Sequence, residues 1–354
     1  MPHLFDPVKA GALSLKNRIW MAPLTRGRAG ASRVPNDLMT QYYGQRAGAG
    51  LIISEATAIS PMGYGWKDAP GIYTDEQEEA WKAVTHEVHG KGGRIVLQLW
   101  HMGRLSHPDF LEGKVPVSAS AIAAEGEARS LEGKKPYVTP RPLTRDEIKL
   151  TVRDYADAAQ RAVRAGFDGV EIHGANGYLI DQFLRDGSNT RTDEYGGPVA
   201  NRTRFLLEVT EAVTAAIGSD RTGLRLSPMN GYQSMYDSDL EGLFTHAAKE
   251  LNRFNLAFLH VRETSNKPLA VTAAMRKVYN GLIAGNDAYD FARAQKALDD
   301  GVLDAVAFGL PYIANPDLAA RFAAHAPLNP PQPGTFYKGG AEGYTDYPFM
   351  EKTA

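Results

Sequence analysis

The chain has 354 residues, 43% hydrophobic and 23% charged, with a formal net charge of −2 and no cysteine. That length can bury one large core, and a charge so near zero offers no basic stripe for nucleic acid or an anionic membrane. The lack of cysteine excludes disulfides, thiol nucleophiles, iron–sulfur ligation and thiolate zinc sites.

Short apolar runs alternate with helix-period segments along the chain, and eight of the runs read as strands. The first, Arg18 to Pro23, leads into Pro23-Leu24-Thr25-Arg26, and the second spans Leu51 to Ala56. A helix starts at Thr74, where Gln77 three residues on has capping-box spacing. The third strand, Arg94 to Leu99, carries Gln98 and runs into Trp100-His101. Residues 100–142 then lose any helical period and are punctuated by Pro108, Pro116, Pro136, Pro140 and Pro142, which predicts a cap or lid excursion over the barrel mouth with a small hairpin. Thr144 and Glu147 repeat the capping-box spacing where the rhythm resumes.

The fourth strand, Gly169 to His173, is the most informative. Val170 and Ile172 alternate with Glu171 and His173, so the polar pair shares one face, and Gly174 and Gly177 fold Asn176 and Tyr178 back beside the imidazole. Such a cluster can hold one oxygen acceptor and deliver one proton. In the fifth strand, Thr222 to Ser227, Arg225 lies opposite Leu224 and Leu226 and therefore points into the barrel, where it needs Glu171 or a ligand that turns negative during turnover. The sixth strand covers Ala257 to Val261. The seventh, Gly281 to Ala284, ends in Gly285-Asn286, and the eighth, Ala305 to Phe308, ends in Gly309-Leu310-Pro311. These two loops read either as tight βα turns or as a phosphate site of bare amides. The tail, residues 327–354, is rich in proline and glycine but carries late aromatics, and is expected to dock on the body.

Eight strand–helix units without a Gly-x-Gly-x-x-Gly opening predict an α/β fold, a single-domain (β/α)8 TIM barrel over residues 1–354 with the excursion after strand three. The polar groups at strand ends would share its catalytic rim. Phosphate on one side and Thr25, Gln98 and Arg225 on the other would suit a flat phosphorylated heterocycle.

These residues resemble the old yellow enzyme family of FMN-dependent ene-reductases. The resemblance is carried by Asn17-Arg18, Met21-Ala22-Pro23-Leu24-Thr25-Arg26, Gln98-Leu99-Trp100-His101 and His173-Gly174-Ala175-Asn176-Gly177-Tyr178-Leu179. Most specific is Ser188-Asn189-Thr190-Arg191-Thr192-Asp193-Glu194-Tyr195-Gly196-Gly197 followed by Asn201-Arg202. The resemblance implies non-covalent FMN, NADPH or NADH as reductant, and activated alkenes as substrates. It assigns Thr25, Gln98 and Arg225 to the flavin ring, the backbone of Pro23, Leu24 and Ala56 beside it, and Gly285, Asn286 and Gly309 to the phosphate. Leu310 stands where the family usually has a phosphate-binding arginine. His173 and Asn176 would bind the substrate carbonyl, Tyr178 would be the proton donor, and Trp66, Trp100 and Tyr344 would wall the pocket.

Two other readings stay open: a flavin-binding barrel without ene-reduction, and a barrel glycoside hydrolase pairing Glu171 with Glu55 or Glu263. No metal is expected, since His86 and His89 lack further ligand spacing. The start of the chain shows no charged region followed by an apolar run, and no stretch nears the ~18 apolar residues of a membrane span. A cytoplasmic monomer or small homo-oligomer is the expectation.

Overall fold

Short, mainly apolar β runs separated by amphipathic helices leave one economical solution, a parallel sheet closed on itself with helices outside. The computed structural model describes residues 1–351 and has that form. The barrel strands are β1 (Ile19–Met21), β2 (Ile52–Ala58), β3 (Ile95–Trp100), β4 (Gly169–His173), β5 (Thr222–Leu226), β6 (Phe258–Arg262), β7 (Ile283–Asn286) and β8 (Ala305–Phe308). Each pairs in parallel with the next, and β8 closes on β1. Several strand ends differ from the sequence reading, and two of them bear on the site. β6 runs on through Arg262, and β7 runs through Gly285 and Asn286, because Val261↔Gly285 and Arg262↔Asn286 extend the ladder.

The outward residues of the strands, among them Val170, Ile172, Leu224, Leu259 and Ile283, join the main core under the helices. Inside, the N-terminal end of the barrel is plugged by a separate apolar cluster that includes Trp20, Ile53, Val96 and Phe258. Gly223 makes room for that plug, since a Cβ there would lie 2.1 Å from the Phe258 ring. Polar side chains occupy the layer above. The plug thus confines open volume to the C-terminal mouth, where barrel enzymes carry their chemistry. Outside, the long helices Asp75–Gly90 and Arg145–Arg164 both begin with complete capping boxes, at Thr74/Gln77 and Thr144/Glu147.

Between β3 and helix Arg145–Arg164 the chain makes an antiparallel hairpin, Glu127–Ser130 with Gly133–Pro136, and pairs Val117–Ser118 with Arg141–Pro142. Arg129 of the hairpin lies over the rings of Trp66 and Tyr337, 5.2 and 5.1 Å from their centroids. The C-terminal segment is bound by arginines of the first βα loop: Arg26 donates to Gly343 O and Arg28 to Thr335 O, each at 2.7 Å. Of the expected tail, residues 352–354 lie outside the described residues.

The loop after β4 is braced from below. Asp181, fully buried, accepts from Gly177 N at 2.8 Å and pairs with Arg185 Nε at 2.8 Å, while Gln182 Nε2 donates to Gly177 O at 2.7 Å. Asn189, in the most specific sequence string, donates to the carbonyls of Phe183 and Tyr195, each at 2.7 Å. That string therefore fixes a loop. Asp181→Ala would leave Arg185, 1% exposed, as an unpaired buried charge. We expect that variant to lose about 3–5 kcal/mol in chemical denaturation. An exposed control such as Glu79→Ala, which breaks a surface pair with Lys82, should lose less than about 1 kcal/mol.

Candidate active site

The turn that follows β4 puts Asn176 at φ +59 and Gly177 at φ +79, two consecutive left-handed residues of a kind Asn and Gly accept most readily. Asn176 N donates to Ser227 Oγ at 2.7 Å, and Tyr178 N to Ala175 O at 3.2 Å. The result sets Tyr178 edge-on to His173, with ring centroids 4.9 Å apart, and edge-on to Trp100 at 5.3 Å. His173 is 2% exposed, and among the described residues its Nδ1 has no protein partner. Burial, reinforced by the Arg225 charge, holds the imidazole well below its ordinary value, so the ring is neutral at physiological pH. Burial also pushes the Tyr178 phenol up to about 12, keeping its proton available.

Beneath this turn lies a polar layer. Glu171 accepts from Gln98 Nε2 at 2.7 Å on one oxygen and pairs with His260 Nδ1 at 2.7 Å on the other. A carboxylate accepts only, so Gln98 keeps its Oε1 as a spare acceptor. Arg225 does not bond Glu171 directly. Its Nη2 donates to Asn286 Oδ1 at 2.6 Å, and its buried Nε has no partner. Burial brings this guanidinium down to about 10, opposed by the Glu171 charge, and it stays cationic at neutral pH.

A cavity of about 590 Å³ opens at the barrel mouth, lined among others by Pro23, Leu24, Asn176, Arg225, Asn286, Gly309 and Leu310. Its size is that of an ordinary cofactor site. Where β7 and β8 end in its wall, the backbone amides of Asp287, Ala288, Gly309 and Leu310 find no protein acceptor among the described residues. Unbonded amides of residues that line one cavity make it a candidate anion site. With the cation of Arg225 in the cavity wall, and with the spare acceptor of Gln98 and the half-buried Thr25 hydroxyl, which has no protein partner among the described residues, outside that wall, the residues present fit FMN. Ala56 is buried just past a bulge in β2 that shifts the register between Ile53 and Ala56.

Besides Gly285 and Tyr344, the expected site residues Thr25, Ala56, Gln98, His173, Tyr178, Trp66 and Trp100 are not among the residues that line this cavity. Gly285 lies within β7 and does not line the cavity; its missing Cβ makes way for Leu303 Cδ1, 2.2 Å from where that Cβ would sit. Tyr344 does not wall the pocket. It is fully buried and stacks on Tyr42 at 4.1 Å, under the guanidinium of Arg28. The tail aromatic that lines the cavity is Tyr337, whose ring centroid is 5.4 Å from that of half-buried Trp66. Sequence reasoning also missed His260 and Arg262. Alternation in Leu259-His260-Val261-Arg262 gives both, by the rule that found Glu171 and His173.

The carboxylates of the glycoside hydrolase reading, Glu171 with Glu55 or Glu263, do not line this cavity. Glu171 is locked in the polar layer, while buried Glu55 accepts from Arg26 N and Gly27 N. Glu263 accepts from Thr272 N at 2.8 Å and from the Thr272 hydroxyl. All three are spent as structural acceptors.

A model of the NADH:flavin oxidoreductase / NADH oxidase family matches residues 3–329. The chain belongs to that family. A solved old yellow enzyme homologue from Zymomonas mobilis is 50% identical, covers 99% of this chain and 100% of its own, and superposes with a TM-score of 0.96. Morphinone reductase in complex with tetrahydroNAD is 51% identical, with 99% of each chain covered and a TM-score of 0.96. A Leishmania infantum protein named probable flavin mononucleotide-dependent alkene reductase is 44% identical over 355 residues, 98% of this chain and 97% of its own. The barrel is an old yellow enzyme barrel, and the protein is an FMN-dependent oxidoreductase that draws on a reduced nicotinamide. Among the described residues no helix is long and apolar enough to cross a membrane.

Proposed function

We propose that this site reduces the C=C bond of activated alkenes, namely α,β-unsaturated carbonyls, maleimides and nitroalkenes, in a ping-pong cycle that uses one pocket for NADPH or NADH and then for the alkene. The observation that carries the reading is the partnerless Nδ1 of buried His173 beside the Tyr178 ring, at the end of the strand whose following turn carries Asn176 into a cavity also lined by Gly309 and Leu310. When bound, FMN supplies the hydride that it has received from the nicotinamide.

Arg225 would hold the N1–C2 side of the flavin, where negative charge accumulates on reduction, and Thr25 the O4 edge. Gln98 would bind the pyrimidine through its free Oε1, and the backbone of Pro23, Leu24 and Ala56 would flank the ring. Asn286 anchors Arg225, and the amides around Gly309 would hold the phosphate. His173 and Asn176 hold the substrate oxygen, which withdraws density from the β-carbon and stabilises the developing enolate. Tyr178 then protonates the α-carbon. Trp66, Trp100 and Tyr337 exclude water from the reacting bond, with residues 100–142 as a cap and the C-terminal segment as a docked wall. We place the enzyme in the cytoplasm, as a monomer or small homo-oligomer.

The purified protein should be yellow and release FMN on denaturation, and NADPH should bleach it anaerobically. A colourless protein that FMN cannot reconstitute would contradict the assignment.

Phosphate binding should be the weak point. The cations lining the cavity, Arg225 and Arg262, are tied to Asn286 and Asp287, and Leu310 is 56% exposed in the phosphate wall. A charge-assisted bond adds ~1.5–3 kcal/mol, roughly tenfold to a hundredfold in affinity. Leu310→Arg should therefore lower the FMN dissociation constant by about that factor, with a smaller gain for riboflavin, which lacks the phosphate. An unchanged constant, from flavin fluorescence recovery at several salt concentrations, would mean that another group already neutralises the phosphate.

A further inference from the structure

Arg262 closes β6 and lines the catalytic cavity. Its Nη1 donates to Asn176 Oδ1 at 3.1 Å, while Nε and Nη2 both reach Asp287 Oδ2, at 3.2 and 3.0 Å. Asp287 has φ +110 and Ala288 φ +58, backbone conformations that side-chain-bearing residues adopt only when their surroundings enforce them. Asp287, Arg262 and Asn176 thus form a line of contacts across the ends of β7, β6 and the turn after β4.

The chemistry of the donors gives this line a direction. A guanidinium carries donors and no acceptor, so Arg262 can hold only the oxygen end of the Asn176 amide. The two Nδ2 hydrogens are left over, and among the described residues they have no protein acceptor. A half-exposed amide without such an anchor is free to turn its oxygen toward the site, where it would repel a substrate oxygen. We infer that Arg262 is a positioning residue for alkene reduction: it fixes the Asn176 amide so that nitrogen, not oxygen, meets the substrate carbonyl, and Asp287 fixes Arg262 in turn. This inference rests on the reading of Asn176 as a carbonyl donor.

The test uses FMN-saturated holoenzyme and the dissociation constant of a para-substituted phenol, read from its charge-transfer band, for Arg262→Met, Asn176→Ala and the double variant. Losing an orienting partner should weaken phenol binding about tenfold in Arg262→Met. In the Asn176→Ala background the same replacement should add nothing, because the two side chains act as a unit. Arg262→Lys should recover most of the affinity, and Asp287→Asn, which keeps Arg262 but removes its charged anchor, should show a smaller loss and serves if Arg262→Met does not fold. If Asn176→Ala weakens phenol binding but Arg262→Met and Asp287→Asn do not, the positioning role is overturned and the carbonyl site stands. Equal losses from Arg262→Met in both backgrounds would overturn it too, by making Arg262 a direct ligand contact. An Asn176→Ala variant that binds phenol normally would remove the carbonyl reading, and this inference with it.

Discussion

With His173 and Asn176 both replaced by alanine, phenol binding is expected to vanish and reduction of 2-cyclohexenone to slow by at least ~10²–10³-fold, the loss typical of one donor removed from a preorganised oxyanion site. The two residues lie at the end of β4 and in the turn that follows it, and the buried Asp181–Arg185 pair braces that turn. Their donors are therefore in place before substrate arrives. FMN should stay bound, since neither side chain belongs to the phosphate wall or the polar layer. In old yellow enzymes a bound phenol gives a long-wavelength charge-transfer band, which makes the loss visible without turnover. A double variant that titrates with phenol as the parent does would show that these residues do not hold the oxygen.

Tyr178→Phe should separate the two halves of the cycle. Reduction by the nicotinamide needs no proton at carbon, so its rate should hardly change. Reoxidation by 2-cyclohexenone needs one at the α-carbon and should fall by roughly 10²–10⁴-fold, the range for a positioned general acid. The Tyr178 phenol, pushed up to about 12 by burial, carries that proton at any working pH. A nitroalkene should suffer less, because its nitronate is stable enough to leave before protonation. Stopped-flow traces with the nicotinamide step slowed and the enone step untouched would give Tyr178 another role.

What the sequence displays depends on whether a property is local. Alternation within five residues is local, and it placed Glu171, His173 and Arg225 inside the barrel, while short apolar runs, equally local, located all eight strands. Capping boxes at Thr74 and Thr144 are equally local and form as read. Strand ends are not local: β7 continues through Gly285 and Asn286 because its neighbours offer partners there, and β6 reaches Arg262 for the same reason. Ending those strands early put Gly285 in a loop, where the structure keeps it in the strand, and hid Arg262 altogether. Which tail aromatic reaches the cavity depends on the path of a segment almost without regular structure. Tyr337 lines the cavity and Tyr344 packs beneath the first βα loop, a distinction that no spacing between them encodes. The turn after β4 was legible because Gly174 and Gly177 announce it, whereas the Asp287–Arg262–Asn176 line joins three separate parts of the chain.

The central claim is that one pocket takes electrons from a nicotinamide and places them on an alkene. The most direct measurement is an anaerobic double-mixing experiment in which NADPH or NADH bleaches the yellow protein and 2-cyclohexenone is then added, with phenol as competitor in each step. The account predicts that colour returns with one equivalent of cyclohexanone formed per flavin, and that phenol slows both steps. Colour that returns only on admission of oxygen, with the enone recovered unchanged, would contradict it.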